Sequence, residues 1–154
     1  MAFTTRLRRD RPSIKNIIFG GDCNWDDTKT PRRKAESLVD TNMADLCRTD
    51  FATWSDVWLS KHPHNDKNSD DDLGYTYDPK KNEMLSSKSS LRRRFDRILV
   101  DVTNTLSLDD VKIIIPPIIE GARRPITGYK SHVVSRYLPC IASDHFGLMA
   151  SFKF

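Results

Sequence analysis

Residues 15–24 read KNIIFGGDCN. Ile17, Ile18 and Phe19 are consecutive β-prone apolar residues, followed by two glycines and an acid. This order predicts a buried strand over Lys15–Asp22 that ends in a tight turn and presents Asp22 at its tip, with Asn24 two residues on. The same arrangement recurs twice downstream. In Leu91–Val100, LRRRFDRILV, the apolar residues Phe95, Ile98 and Val100 predict a strand running through Arg94-Phe95-Asp96-Arg97. Near the end, Ser143-Asp144-His145 precedes a stretch in which Phe146, Leu148, Ala150, Phe152 and Phe154 alternate with smaller or polar residues, the pattern of a half-buried strand. Three polar clusters at the ends of core strands are held rigidly and can converge on one cleft.

The segments between them read as follows. Residues 25–34 and 62–74 are polar loops, the second holding His62 and His64 near Asp66 in what reads as a solvated loop rather than a metal site. Residues 35–61 read as partly helical, with Phe51, Trp54 and Trp58 on an aromatic face. Gly74–Asp78, GYTYD, is a short aromatic strand or turn, and 79–90 loops around Met84 and Leu85. Val111–Ile119 is apolar and broken by Pro116–Pro117, which marks an edge strand or its end. Residues 120–137 read as basic and irregular. About five strands and one or two helices make the class α/β or α+β, with largely antiparallel neighbours.

Composition sets the limits. The 154 residues are 38% hydrophobic and 30% charged, enough for one ordinary domain and unlike a disordered chain. No apolar run approaches the ~20 residues of a membrane-spanning helix, so no membrane partner is expected. Residues 1–14 form a basic segment with Arg6, Arg8, Arg9 and Arg11 and without the apolar stretch of a secretory signal. Cys23, Cys47 and Cys140 are widely spaced with no CxxC pair, which reads as free thiols in a reducing compartment. The net charge of +4 divides into +5 over residues 1–34, −7 over 35–78 and +6 over 79–154, and the basic flanks suit a polyanion such as nucleic acid.

Taken together and in this order, Gly21-Asp22-Cys23-Asn24, Arg94-Phe95-Asp96 and Ser143-Asp144-His145 resemble the endonuclease/exonuclease/phosphatase superfamily. Finer segments, IIFGGDCNWDD (17–27), WSDVW (54–58), GYTYDPKKNEML (74–85), LRRRFDRILV (91–100) and ASDHFGLMASF (142–152), are similar to the tyrosyl-DNA phosphodiesterase 2 family, in its plant-type form. The resemblance implies a four-layer α/β/β/α sandwich, of which residues 15–154 would be the C-terminal half. It implies a metal-dependent phosphodiesterase that hydrolyses the 5′-phosphotyrosyl bond of a DNA end in DNA repair, and hence the nucleus, with the cytoplasm as the alternative. Pro31-Arg32-Arg33-Lys34 is a short candidate import signal.

The resemblance also implies roles. Asp22 aligns and deprotonates the attacking water. Asn24 bonds a phosphate oxygen. His145 stabilises charge developing on the phosphate, and Asp96 fixes its tautomer. Tyr77, Arg94 and Ser143 are candidate substrate contacts, with two readings open for Tyr75 and Tyr77 (core aromatics or DNA-facing rings) and for Arg92–Arg94 (solvated strand end or phosphate contact). Asp22 and Asp144 are the candidate metal ligands, for Mg²⁺ or alternatively Mn²⁺.

The family's first-half motifs, a Thr-Trp-Asn type and a Gln-Glu type whose glutamate is the principal metal ligand, have no match in residues 1–16. The expectation is a partial domain, inactive or nearly so alone, with Ile17, Phe19, Ile98, Val100, Leu148 and Phe152 partly exposed unless a protein partner covers that sheet face. Two other readings are open: another superfamily hydrolase, such as an abasic-site endonuclease or deadenylase, or a non-catalytic remnant that binds nucleic acid or protein.

Overall fold

A computed structural model of the chain describes residues 3–24, 54–63, 73–85, 91–101, 106–127 and 134–153. The elements are α1 (Phe3–Asp10), β1 (Ile17–Asp22), β2 (Ser55–Asp56), α2 (Val57–Lys61), β3 (Asp96–Asp101), β4 (Ser107–Ile114), β5 (Ile118–Thr127), β6 (Val134–Ile141) and β7 (Gly147–Lys153). The strands form three small antiparallel sheets, β1-β3-β2, β4-β7 and β5-β6. Mostly β-structure with few helices agrees with a partial α/β sandwich. His64, Asp66, Cys47 and the 31–34 cluster lie outside the described residues, as does most of the helix expected over 35–61.

The register of β1 on β3 runs from Ile17 opposite Asp101 to Asp22 opposite Asp96, which brings two carboxylate-bearing strand ends side by side. The Cys23 N–H donates to the Phe95 carbonyl at 2.9 Å and carries the pairing one step further. β7 alternates as its sequence predicts, with Leu148, Ala150 and Phe152 turned inward. They pack with Ile98, Leu108 and Ile113 around a buried centre of Val57, Trp58, Val100 and Val111. The core therefore lies where α2 and β3 meet the inner face of β4-β7.

Three expectations are corrected. β1 is not buried: Ile18 is 51% and Phe19 39% exposed, because β1 is an edge strand and the core lies beyond its neighbour β3. Val100, expected on an uncovered face, is buried against Trp58, and Ile98, Leu148 and Phe152 are half-buried around the same centre. Phe19 is exposed and Ile17, Ile98, Leu148 and Phe152 are partly exposed as expected, and Ile18, Ile115, Ile118, Ile119 and Tyr137 are further exposed large apolar residues among those described. Residues 120–127 and 134–137, with 128–133 outside the described residues, are not irregular either, since β5 and β6 pair there as the two arms of an antiparallel hairpin. Its two faces are both largely exposed, so no apolar alternation announces it, and Gly121 and Pro125 read as breakers. The basic first segment forms α1, which Arg8 fastens to Asp101 through a 2.7 Å ion pair.

Asp56 joins the helix to the sheet. Its Oδ1 caps α2 by accepting from the Trp58 and Leu59 N–H groups at 3.0 and 3.3 Å. The same carboxylate accepts from Arg94 Nη1 through both oxygens, at 2.8 and 2.7 Å, and from Arg97 Nη1 at 3.1 Å. Gly74 then closes against the helix. It has φ +64°, and a Cβ there would lie 2.5 Å from the Trp58 indole, whose other contacts include a 4.2 Å stack on His62.

Two glycines separate backbone strain from steric clash. Gly121 shares the left-handed conformation, at φ +75°, but a Cβ there would meet nothing within 4 Å. Gly121→Ala is expected to cost about 1 kcal/mol from φ strain alone, and Gly74→Ala at least about 2 kcal/mol more, because the indole must move. Urea midpoints of the two variants check this.

Candidate active site

The site begins with a turn that organises itself. Asn24 follows β1 in the left-handed region, at φ 48°, which asparagine tolerates better than most residues. Its backbone N–H donates to Asp22 Oδ1 at 2.8 Å and its Nδ2 to Asp22 Oδ2 at 3.2 Å. The spacing of GDxN thus holds the Asp22 carboxylate from two sides.

Asp96 stands opposite Asp22 in the sheet, and its Oδ2 lies 2.8 Å from His145 Nδ1. Asp22 Oδ2 is 3.9 Å from the same nitrogen. A carboxylate oxygen only accepts, so the Asp96 contact favours the ring form that carries a proton on Nδ1. The His145 backbone N–H donates to Ser143 Oγ at 3.1 Å, which shapes the turn that carries the ring. Phe95 lies nearly parallel to the imidazole, with centroids 5.8 Å apart, and Tyr77 meets it edge-on at 5.5 Å. Asp96, Ser143 and His145, together with Ile114 and Pro116, line a cavity of about 310 Å³.

Asp22, Asn24, Asp96 and His145, from three separate strand ends, therefore meet in space, with Tyr77 against the histidine. Ser143 joins them through the backbone of His145. Arg94 does not join them. Only 5% of its side chain is exposed, and Asp56 engages its guanidinium, because a buried cation requires a paired anion. Arg92 is likewise buried, bonding Asp78 at 2.7 Å and lying 4.6 Å over the Tyr75 ring. The run Arg92–Arg94 is thus no solvated strand end, and Tyr75 faces Arg92. Asp144 is exposed and stands apart from the metal-competent group of the described residues, which is Asp22, Asp96 and His145, with ligand atoms within 4.8 Å of one another.

Residues without a sequence signal build the surround. Thr76 is fully buried, and its hydroxyl accepts from the Phe95 and Asp96 N–H groups at 3.1 and 3.0 Å. Its carbonyl accepts from the Phe146 N–H at 2.7 Å, so one residue ties both the Asp96 strand and the His145 turn. Buried Asn82 donates from Nδ2 to the Ser143 and Asp144 carbonyls at 3.3 and 3.1 Å. Tyr77 and Arg93 exchange backbone bonds of 2.9 Å, which holds this segment to the approach of β3. Only the aromatic character of Phe95 and Tyr77 offered a hint, and none pointed at Thr76 or Asn82.

The carboxylate and imidazole donors of this group could hold a divalent metal ion. Asp22 is the carboxylate that fits, with 41% of its side chain exposed. Asp96 is committed to His145.

No family model matches the chain, and no curated protein matches it. Among solved structures, it is similar to D. rerio TDP2 complexed with single strand DNA product, with 20% identity and a TM-score of 0.49. The likeness is one of fold alone. It covers 98% of this chain and 48% of that one, so the chain spans about half the length of the TDP2 chain it matches.

Asp78 anchors the segment beneath the site. Burial pushes its pKa up, but the Arg92 hydrogen bond and charge, with the Lys80 and Lys81 N–H groups, outweigh it and hold the carboxyl below the ordinary 3.8. A lowered acid contributes stability that is complete above the ordinary value and is lost as pH falls through the folded one. Asp78→Asn is expected to cost about 3 kcal/mol at neutral pH, and its deficit is expected to shrink as pH drops below 3.8, as read from urea midpoints against pH. Thr76→Val is expected to cost about 1–3 kcal/mol, by stranding two N–H groups.

Proposed function

We propose that this site is the substrate-handling centre of a divalent-metal-dependent phosphodiesterase, and that its substrate is the 5′-phosphotyrosyl end of DNA, a lesion handled in nuclear DNA repair. One observation carries the reading: Asp22 with Asn24, Asp96 and His145 come from three distant segments and meet around one imidazole nitrogen, Asp96 at 2.8 Å and Asp22 at 3.9 Å from His145 Nδ1. The finer assignment to tyrosyl–DNA bonds rests on the sequence resemblance.

In this reading Asp22 accepts the proton of a water as its oxygen attacks phosphorus. The phosphorus–oxygen bond to the tyrosyl group breaks, and the phenolate leaves. Asn24 can hold the Asp22 carboxylate and offer its amide to a phosphate oxygen. In its doubly protonated form His145 donates from Nδ1 to Asp96 and from Nε2 to the developing charge, with Phe95 and Tyr77 packed beside the ring. A bound Mg²⁺ or Mn²⁺ would supply Lewis-acid stabilisation of the phosphoryl oxygens, with Asp22 as its protein ligand. A single carboxylate, already bonded by Asn24 on both oxygens, is a weak cation site, so turnover by this chain alone is expected to be near the uncatalysed rate.

Ligand binding tests the site without requiring turnover. A 5′-phosphorylated trinucleotide with Mg²⁺ is expected to bind at least ten-fold more weakly to His145→Ala and Asn24→Ala than to the unaltered chain, in calorimetry or by NMR shift. Equal binding by all three would refute the site. A 5′-phosphotyrosyl oligonucleotide compared with an abasic-site duplex and poly(A) RNA tests the substrate: preference for either of the latter overturns the tyrosyl assignment and leaves the phosphodiesterase reading standing.

A further inference from the structure

The β5-β6 hairpin is left over by the site and by the core. Among the described residues β5 and β6 pack mainly on each other, and no other element shares an extensive contact with them. Yet both of its feet are at the site. Ile114 and Pro116, just before β5, and Ala142 and Ser143, just after β6, line the cavity that holds Asp96 and His145. Ile118 pairs with Ile141 at the base, and Ile141 is buried. The hairpin is thus an arm rooted in the rim of the candidate active site.

Its chemistry is basic. Residues 118–141 hold four Lys and Arg against the single acid Glu120. Arg123, Arg124 and Arg136 are exposed. The register puts Arg124 opposite Leu138 and Ile126 opposite Arg136, so Arg124 and Arg136 are diagonal neighbours on one face. Arg123 and Tyr137, the latter 61% exposed, are diagonal neighbours on the other. Arginine beside an exposed tyrosine is the pairing that holds phosphate and stacks a base. Pro125 and Pro139 each remove a backbone donor from the hairpin, which disfavours addition of a further strand from a second copy.

We infer that the β5-β6 hairpin is a nucleic-acid-binding arm, which grips the phosphate backbone of a strand whose 5′ end lies at His145. The inference rests on the reading of that site as a handler of nucleic-acid ends. Arg123 and Arg124 lie five and six residues beyond Ile118, at most about 20 Å along the strand from the foot. With about 3.4 Å per nucleotide in a stacked strand, they reach about five to six nucleotides from the reacting phosphate.

Length dependence isolates the arm. Fluorescence anisotropy compares 5′-phosphorylated oligonucleotides of three and twelve nucleotides binding to the full chain. Arg123→Glu/Arg124→Glu is expected to weaken the twelve-mer about ten-fold or more at low salt and to reduce its salt slope by about 2, with the trinucleotide unchanged. Arg6→Glu on α1, which is anchored at the Asp101 end of β3, makes the same charge reversal per residue away from the site, half the total of the double variant, and is expected to leave both probes unaffected. A twelve-mer affinity equal in the double variant and the unaltered chain overturns the inference, as does an equal loss in Arg6→Glu. So does a dimer in sedimentation that the double substitution dissociates, which would make the hairpin a self-association surface. His145→Ala acts on the trinucleotide, so failure of the site reading shows there and failure of the arm shows only in the length-dependent part.

Discussion

The architecture depends on the Asp56 carboxylate. It meets two buried guanidiniums and the first free N–H groups of α2, so one anion joins the helix that supplies Val57 and Trp58 to the strand that supplies Asp96. Charges this far from water are tolerable only when paired, and removing any member leaves the others uncompensated. The strand period then does the rest. Arg97 points inward to Asp56, and its neighbour Asp96 must point to the other face, where His145 lies. The geometry of the histidine is thereby tied to an ion pair on the far side of the sheet.

Around the site, polar burial rather than apolar mass supplies precision. Among the described residues, Thr76, Asp78, Asn82, Arg92, Arg94 and Arg97 are the buried polar ones, and all lie within residues 76–97. Thr76 and Asn82 bond the strand and the turn that bear Asp96 and His145, Arg92 bonds Asp78, and Arg94 and Arg97 bond Asp56. A hydrogen bond fixes direction as well as distance, and a buried network has fewer alternative arrangements than an apolar cluster. The apolar centre at α2, β3, β4 and β7 contributes cohesion, and the polar layer contributes the placement of Asp22, Asp96 and His145.

Legibility in the sequence followed from how local each cause is. β1, β3 and β7 were readable because β-prone residues and alternation are local, and Asp22, Asn24, Asp96 and His145 because each ends such a run. The burial of β1 was misjudged because edge or centre is decided by pairing, which the residues Ile17–Phe19 do not encode. Arg94 shows a similar limit: beside a motif it reads as a candidate substrate contact, and in the structure a carboxylate 38 residues away engages its guanidinium. Thr76 and Asn82 sit in polar, aperiodic sequence, and their partners lie 19 to 62 residues distant. The β5-β6 hairpin has two largely exposed faces, so hydrophobic periodicity had nothing to report.

The same division explains why the hairpin suits an electrostatic role better than a structural one. An element that buries little contributes little to cohesion, and its sequence is free to carry arginines where a core strand could not. Its feet, however, are continuous with Ser143 and with the segment before β5, so whatever it holds is placed relative to Asp96 and His145 by the chain itself. A charged arm rooted at the rim raises the local concentration of a polyanion at the site and adds no constraint to the histidine's geometry. Binding reach and chemical precision are in this way assigned to different parts of the chain, the first to an exposed hairpin and the second to a buried polar layer.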